Sequence, residues 1–237
     1  MLDICNNRAN RLTQNDTYVI KGIAIILMLL HHLFYVRREL YDDFILYGNH
    51  GIVNEIGIFS KVCVAIFVFL SGYGLTVSNG NNKKISLKDF YAHRFVKLYM
   101  NYWLIWLLFV PLSVYCFGRT FDVVYGSHII PKLVADLFGV INVFGLYGYN
   151  PTWWFYSAII VLWLLYPLFL RLSKYPAFLL ILGVVCYFSP VRMTIGISSY
   201  VLPFVVGILY AKIEFATPEF TPPTTVNILT NRVLALG

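Results

Sequence analysis

The stretch that decides the fold covers residues 18–36 and reads YVIKGIAIILMLLHHLFYV. A transmembrane α-helix needs about 20 predominantly apolar residues, so this stretch is long enough to cross a bilayer. It nevertheless contains Lys21, His31 and His32. Because ionisable side chains inside a span are costly and rare, these three residues mark a candidate functional site.

The composition extends the membrane assignment to the whole chain. Of its 237 residues, 59% are hydrophobic and 12% are charged, and the mean hydropathy is +0.71. A soluble domain carries about 25% charged residues, which cover its surface. The predicted fold class is therefore all-α: a polytopic transmembrane helix bundle with about six or seven spans.

Six apolar stretches are predicted spans, and a further one is ambiguous. The six cover residues 18–36, 56–77, 98–118, 152–170, 176–189 and 194–213. The stretch 131–147 is shorter and contains Asp136 and Asn142, so it is either a seventh span or a re-entrant or interfacial helix. We expect residues 1–213 to form a single membrane domain and residues 214–237 to form an irregular tail.

Basic residues predict the orientation of the chain, since Lys and Arg collect in the cytoplasmic loops of membrane proteins. They precede the first span, dominate the linker 78–97 and follow the fourth span, whereas Asp42 and Asp43 follow the first span. This pattern predicts a multi-pass protein of the cell (inner) membrane with a cytoplasmic N-terminus. The net charge of +7 is explained in the same way, and without a basic surface interleaved with aromatic residues we expect no nucleic acid partner.

The four cysteines give no sign of a disulfide framework or a metal site, because they are scattered and form no C-x-x-C pair. His31 and His32 are adjacent, so their side chains diverge on a helix, and no third ligand accompanies them. We therefore expect no metal.

Helical spacing separates the two histidines. Lys21 and His32 are eleven residues apart, which is three turns, so they share a helix face about 16 Å apart along the axis. His31 points about 100° away. Histidine can accept and return a proton near neutral pH, which suits general acid–base catalysis. The alternative is that both histidines only form hydrogen bonds with neighbouring helices.

Three further stretches carry candidate residues, each with a structural alternative. Ser71 lacks the G-x-S-x-G context of a nucleophile, which favours helix packing. Arg94 and Lys97 share a helix face and are suited to phosphate, although positive-inside anchoring explains them equally well. Trp154 and Tyr156 open the fourth span and are suited either to an interfacial belt or to stacking on a sugar.

Together these stretches resemble the acyltransferase 3 family, polytopic membrane enzymes that O-acylate sugars and cell-surface glycans. In that family a basic residue and a histidine separated by ten residues mark the first span, as Lys21 and His32 do here. A Phe-rich Ser-Gly-aromatic stretch is matched by residues 67–73. The later motifs are matched by Arg94, Lys97 and Tyr99 and by Trp154, Phe155, Tyr166 and Pro167. The resemblance covers about residues 21–213.

The chain departs from the family pattern at several positions. Lys21 and Lys97 stand where the family more often has Arg, which keeps the charge but loses the guanidinium fork. Many members have a Glu in the turn that here reads Ser-Ala-Ile-Ile at 157–160. Members usually have around ten spans, so the resemblance implies that this chain is truncated at its C-terminus.

The resemblance implies an enzyme that transfers an acyl group, expected to be acetyl, from acyl-CoA to a hydroxyl of a glycan or lipid-linked sugar of the cell envelope. Arg94 and Lys97 would hold the phosphates of acyl-CoA, the donor co-substrate. His32 would be the general base, Lys21 would hold the donor or tune the site, and His31 would orient or pack.

Ser71, Trp154 and Tyr156 are the candidate contacts to the substrate. Two alternatives remain: a transporter that moves a polar solute past the intramembrane Lys and His, and an inactive truncated acyltransferase. Transporters often show inverted repeats, and none is evident in this sequence.

Overall fold

The chain folds as a bundle of α-helices in a computed structural model that describes residues 12–35, 44, 51–79, 87–189 and 196–216, and no strand occurs in these ranges. Five helical stretches are long and apolar enough to cross a membrane: Gln14–Tyr35, Ile52–Asn79, Tyr91–Phe117, Pro151–Leu172 and Ile197–Phe215. A shorter apolar helix covers Pro176–Phe188. The predicted polytopic helical membrane protein is therefore confirmed.

The part of the chain that the structure describes contains nine α-helices. In chain order they are α1 (Gln14–Leu30), α2 (Ile52–Phe59), α3 (Val62–Asn79), α4 (Leu87–Phe117), α5 (Phe121–Tyr125), α6 (Ile129–Leu137), α7 (Trp154–Leu172), α8 (Pro176–Phe188) and α9 (Ile197–Ala216). A π-helical turn, His31–Tyr35, extends α1, and 3-10 turns at Ile141–Phe144 and Pro151–Trp153 precede α7. The predicted second span is thus two helices, α2 and α3, which meet at Ser60 and Lys61.

The ambiguous stretch 131–147 does not cross the membrane. Its helix, α6, has nine residues, which extend about 14 Å at 1.5 Å per residue, whereas the hydrocarbon core is about 30 Å thick. A 3-10 turn follows instead of a longer helix. The segment between α4 and α7 therefore forms a cap on one end of the bundle, and the alternative of a seventh span is wrong.

Hydrogen bonds to Glu214 fix the opposite end of the bundle, which we call the Glu214 end. The Leu12 N–H donates to Glu214 Oε1 (3.0 Å) and the Tyr73 hydroxyl donates to Glu214 Oε2 (2.8 Å). The start of α1 and the ends of α3 and α9 therefore lie together. Glu214 belongs to the last helix. Residues 217–237 of the predicted tail, residues 80–86 of the basic linker, and Asp42 and Asp43 lie outside the described ranges.

The end that carries the α4–α7 cap is called the loop end. Helix α1 begins at the Glu214 end and therefore brings its final turn, with the two histidines, toward the loop end. Helix α4 runs in the same direction, because the Arg94 guanidinium donates to Ser78 Oγ near the end of α3. Arg94 and the histidines consequently lie toward opposite ends of the bundle.

Two glycines let α3 and α9 pack backbone to backbone. A side chain at Gly72 would meet the carbonyl of Phe204, and one at Gly207 would meet the carbonyl of Phe69. Small residues at helix interfaces are a common means of close packing in membranes. The contact encloses the main apolar core, to which Val68, Leu75, Phe204, Val205 and Ile208 contribute.

We predict that Gly207→Ala separates α3 from α9, because its methyl group would meet backbone atoms that cannot rotate away. Overpacking of this kind costs about 1–3 kcal/mol of unfolding free energy. The control is Gly74→Ala, where an added methyl group meets nothing within 4 Å and the helix gains about 1 kcal/mol of propensity. Unfolding in detergent micelles measures both variants, and equal stability of the two would contradict the close α3–α9 packing.

A buried aspartate holds the cap at the loop end. Asp136 is 1% exposed, and its Oδ2 accepts hydrogen bonds from the Tyr125 hydroxyl (2.7 Å) and the Tyr149 N–H (3.1 Å). The Tyr102 hydroxyl donates to the Asp136 carbonyl (2.5 Å), which ties the cap to α4. Burial raises the pKa of the Asp136 carboxyl above its ordinary value, and the two hydrogen bonds to Oδ2 act in the opposite direction.

We predict that Tyr125→Phe destabilises the protein by about 1–3 kcal/mol, because it removes a donor from a buried carboxyl. When the pKa of a carboxyl is higher in the folded protein than in the unfolded chain, the stability that it contributes falls as the pH rises. The fall begins above the unfolded pKa of about 4 and ends once the pH has passed the folded pKa. The cost of the substitution is therefore larger at a pH above the folded pKa than at a pH below the unfolded pKa, since the ionised carboxylate needs the donor most. The control is Tyr147→Phe on the same cap, where the side chain is exposed. A cost that is equal at both pH values would contradict the role assigned to Asp136.

Candidate active site

The two histidines lie in the π-helical turn that ends the first span. Helix α1 is regular from Gln14 to Leu30, and the turn covers His31–Tyr35. Short π-helical segments are rare and occur frequently at functional sites. The imidazole centroids of His31 and His32 are 5.5 Å apart with their planes at 62°, and both side chains are partly exposed.

His31 is held on both sides of its ring. Its Nδ1 lies 2.8 Å from the carbonyl oxygen of Gly57 in α2, and its ring stacks on Tyr35 with centroids 5.1 Å apart. Since a carbonyl oxygen can only accept, the Nδ1 carries the proton. Such a bond fixes both the tautomer and the orientation of a histidine.

Helix α2 braces the same turn at two more points. The Asn54 amide Nδ2 donates to the Phe34 carbonyl (3.4 Å), and a Cβ on Gly57 would lie 2.8 Å from the Tyr35 nitrogen. The backbones of α2 and the π-helical turn are therefore in direct contact. Sequence reasoning missed Asn54 and Gly57. The sequence feature that could have revealed them is a polar residue and a small residue three positions apart in an apolar stretch. This spacing puts both residues on one helix face.

His32 is less constrained than His31. Its ring contacts that of His31, and no hydrogen bond joins it to any residue that the structure describes. Both ring nitrogens of His32 are thus available to an incoming hydroxyl group.

Lys21 lies on the regular part of α1, so its three-turn spacing from His32 keeps them on nearly the same face. The Lys21 side chain is exposed, and its ammonium lies 5.8 Å from the centroid of the Tyr18 ring. It reaches another residue of α1, and the spacing places it about 16 Å from His32 along the axis.

The predicted phosphate-binding residues Arg94 and Lys97 lie on α4. The Arg94 guanidinium reaches toward the Glu214 end, whereas Lys97 is two residues before Tyr99, which donates to the Phe138 carbonyl of the cap. Arg94 is half-buried and donates to Ser78 Oγ, whereas Lys97 is exposed. The Arg94 guanidinium lies toward the end of the bundle at which α1 begins, whereas His32 is nineteen residues beyond Thr13, a rise of about 28 Å along α1.

Two serines in motif stretches are engaged with neighbouring helices or loops. Ser71 Oγ accepts from the Trp163 indole nitrogen (2.7 Å), which joins α3 to α7. Ser157 lies in the turn where many family members have Glu. It is fully buried and donates from its hydroxyl to the carbonyl of Gly139 (2.5 Å), which joins α7 to the cap.

The aromatic residues that open α7 face other helices. Trp154 stacks on Tyr200 of α9 with ring centroids 5.5 Å apart, and Tyr156 contacts Tyr102 of α4 with centroids 4.8 Å apart. These two residues thus connect α7 to its neighbours, and both keep part of their side chains exposed.

Comparison with known proteins extends these observations. A family model described as an acyltransferase domain matches residues 18–230 and includes the histidine pair and each of the other candidate residues. No curated protein and no solved structure gives a significant match. Because the match covers most of the chain and coincides with a polytopic helical bundle, the chain belongs to this family of membrane acyltransferases.

Proposed function

We propose that this acyltransferase transfers an acyl group, expected to be acetyl, from acyl-CoA to a hydroxyl group of a glycan or lipid-linked sugar, with His32 as general base. Membership of the family supports acyl transfer in general. The observation that supports His32 is the difference between the two histidines, since His31 is bonded to Gly57 and stacked on Tyr35 while the His32 nitrogens are available.

In this mechanism a ring nitrogen of His32 accepts the proton of the acceptor hydroxyl as its oxygen attacks the thioester carbonyl. A carbon–oxygen bond forms, the carbon–sulfur bond then breaks, and CoA leaves as a thiolate. The thiolate takes the proton from the His32 imidazolium, which restores the base. A positioned general base contributes about 10²–10⁴-fold to the rate of such a reaction.

His31 and Lys21 have supporting roles in the proposal. The bond from His31 to Gly57 fixes the π-helical turn and so sets the direction in which His32 points. Lys21 shares the His32 face of α1 and supplies a positive charge along the path of the donor. That charge attracts the anionic donor and tunes the electrostatic potential around His32.

The donor phosphates are assigned to Arg94 and Lys97. Arg binds phosphate through two parallel hydrogen bonds from its guanidinium, and Lys binds it as a point charge. The positive-inside pattern predicts that the protein lies in the inner membrane with this end of the bundle facing the cytoplasm. Acyl-CoA is found in the cytoplasm. The pantetheine arm of CoA then carries the thioester from this end into the bundle toward His32.

Ser71, Trp154 and Tyr156 are assigned an indirect part in acceptor binding. All three are engaged with neighbouring helices, through Trp163, Tyr200 and Tyr102 respectively. They therefore shape the acceptor site by fixing the positions of α3 and α7.

We predict that His32→Ala lowers acyl transfer by about 10²–10⁴-fold, the usual contribution of a general base. His31→Ala is the matched variant: it removes a positioning contact and lowers transfer by a smaller factor. The measurement uses membranes that contain each variant at equal abundance, labelled acetyl-CoA and a panel of candidate glycans. Full activity of His32→Ala, or a larger loss in His31→Ala, would contradict the assignment of the base. Accumulation of a solute that depends on His32, without acyl transfer, would instead indicate transport.

We predict that Gly57→Ala lowers the turnover number about tenfold to a hundredfold, because a displacement near 1 Å can cost about 10²-fold in rate. The added methyl group would press on the backbone of Tyr35 and displace the π-helical turn. The KM for acyl-CoA stays within about twofold, since the assigned phosphate contacts lie toward the other end of the bundle.

The control for this variant is Gly74→Ala, which adds a methyl group in open space and leaves turnover unchanged. A Gly57→Ala variant that is folded and fully active would show that the brace from α2 does not position the base. A rise in KM without a change in turnover would place the effect on donor binding and contradict the same claim.

A further inference from the structure

A cavity of about 490 Å³ lies at the loop end, between the last turns of α4 and the entry to α7. Its floor includes Val110, Tyr149 and Trp153, which are 2%, 4% and 7% exposed. The cavity is therefore a recess with a buried floor, large enough for part of a small molecule or lipid. None of the motif residues singled out in the sequence lines it.

One wall of the cavity is an apolar stripe on α4. Ile105, Phe109 and Leu112 line it and are 38%, 53% and 44% exposed. Their spacing of four and three residues puts them on one face of the helix. Because α4 is a candidate span, this wall runs along the depth of the bilayer and is suited to a hydrocarbon chain.

The rim of the cavity is polar and carries a cation. Arg119 lies just beyond the end of α4 and is exposed, with its guanidinium 5.8 Å from the centroid of the Tyr149 ring. Among the residues that the structure describes, none forms an ion pair with Arg119. The nearest acidic residue along the chain is Asp122, and Asp122 and Arg119 both act electrostatically on the Tyr149 hydroxyl.

Asn150 adds a neutral donor to the same rim. Its Oδ1 accepts from the N–H of Thr152 (2.9 Å) and from the hydroxyl of Thr152 (2.7 Å). These bonds orient the amide, and its Nδ2 makes no bond within the described part of the chain. A cation and an amide donor beside an apolar wall match a ligand with an anionic head and a hydrocarbon chain.

We propose that this groove holds the phosphate head and the adjoining chain of a lipid-linked acceptor, with Arg119 paired to the phosphate. Arg is suited to phosphate because its planar fork can form two parallel hydrogen bonds. The inference rests on the proposed function and narrows its acceptor to a lipid phosphate. Since α1 also brings His32 toward the loop end, a sugar attached to this phosphate lies on the same side of the bundle as the proposed base.

The alternative that Arg119 only anchors the protein in the membrane explains less of this geometry than phosphate binding does. Basic residues that anchor membrane proteins are concentrated on the cytoplasmic side, whereas Arg119 lies at the opposite end from Arg94. The Arg119 guanidinium also lies over a recess with a buried aromatic floor. A residue that only anchors the protein needs no recess, because a flat lipid surface is sufficient.

The test is a binding measurement on the full chain in phosphatidylcholine nanodiscs, with a long-chain polyprenyl phosphate as the probe and no acyl-CoA present. We expect saturable binding that Arg119→Gln weakens about tenfold to a hundredfold, since a hydrogen bond to a charged group contributes about 1.5–3 kcal/mol. Arg119→Lys weakens it less. The matched control is Lys174→Gln, which removes an exposed cation from the end of α7 nearer the Glu214 end and leaves binding unchanged.

Two lipids separate the possible sources of the phosphate and of the affinity. Unphosphorylated polyprenol binds at least about tenfold more weakly if the phosphate pairs with Arg119. Phosphatidylglycerol fails to compete if the groove is specific for the acceptor lipid. Equal binding of polyprenol, equal competition by phosphatidylglycerol, or wild-type affinity in Arg119→Gln would each overturn the proposal. Leu112→Gln provides a second variant, which weakens the binding of both polyprenyl lipids through the apolar wall.

Failure of this inference is distinguishable from failure of the proposed function. If polyprenyl phosphate binds through Arg119 but no acyl transfer depends on His32, the groove stands and the assigned reaction is wrong. If transfer depends on His32 but neither binding nor transfer responds to Arg119→Gln, the reaction stands and the groove is not the acceptor site.

Discussion

The hydrogen bond between His31 Nδ1 and the Gly57 carbonyl, 2.8 Å long, is the interaction on which the proposed site depends. The bilayer core offers no water to satisfy backbone polar groups, so those of a span need partners within the protein. Helix α2 supplies partners to the π-helical turn through the Gly57 carbonyl and the Asn54 amide. One histidine is thereby fixed, and its neighbour His32 is presented in a defined direction with its ring nitrogens available.

In the proposed reaction the two substrates would bind toward opposite ends of the bundle. The Glu214 end carries Arg94, which is fixed to Ser78, whereas the loop end carries the cap held by Asp136 and the groove beside Arg119. Helix α1 runs between the two ends and carries Lys21 along the way. An acyl group that enters from one end and an acceptor that binds at the other would thus meet near His32, toward the end of α1.

Most of the fold could be predicted from the sequence because the bilayer permits few solutions. A lipid-exposed chain must form helices or closed barrels, so long apolar stretches already indicate helical spans. The shared face of Lys21 and His32 follows equally from helical periodicity. The break at Ser60 and Lys61 and the nature of 131–147 were not evident, since both depend on where a helix ends within an apolar stretch.

The contacts that position the site could not be predicted, because they join distant parts of the chain. His31 and Gly57 are 26 residues apart, and Asn54 and Phe34 are 20 apart, so no local pattern connects them. The most direct test of the account is the pH dependence of kcat/KM for acyl transfer. A neutral histidine base predicts a rate that rises with pH through one ionisation and then levels. A rate that is independent of pH between about 5 and 8 would contradict it.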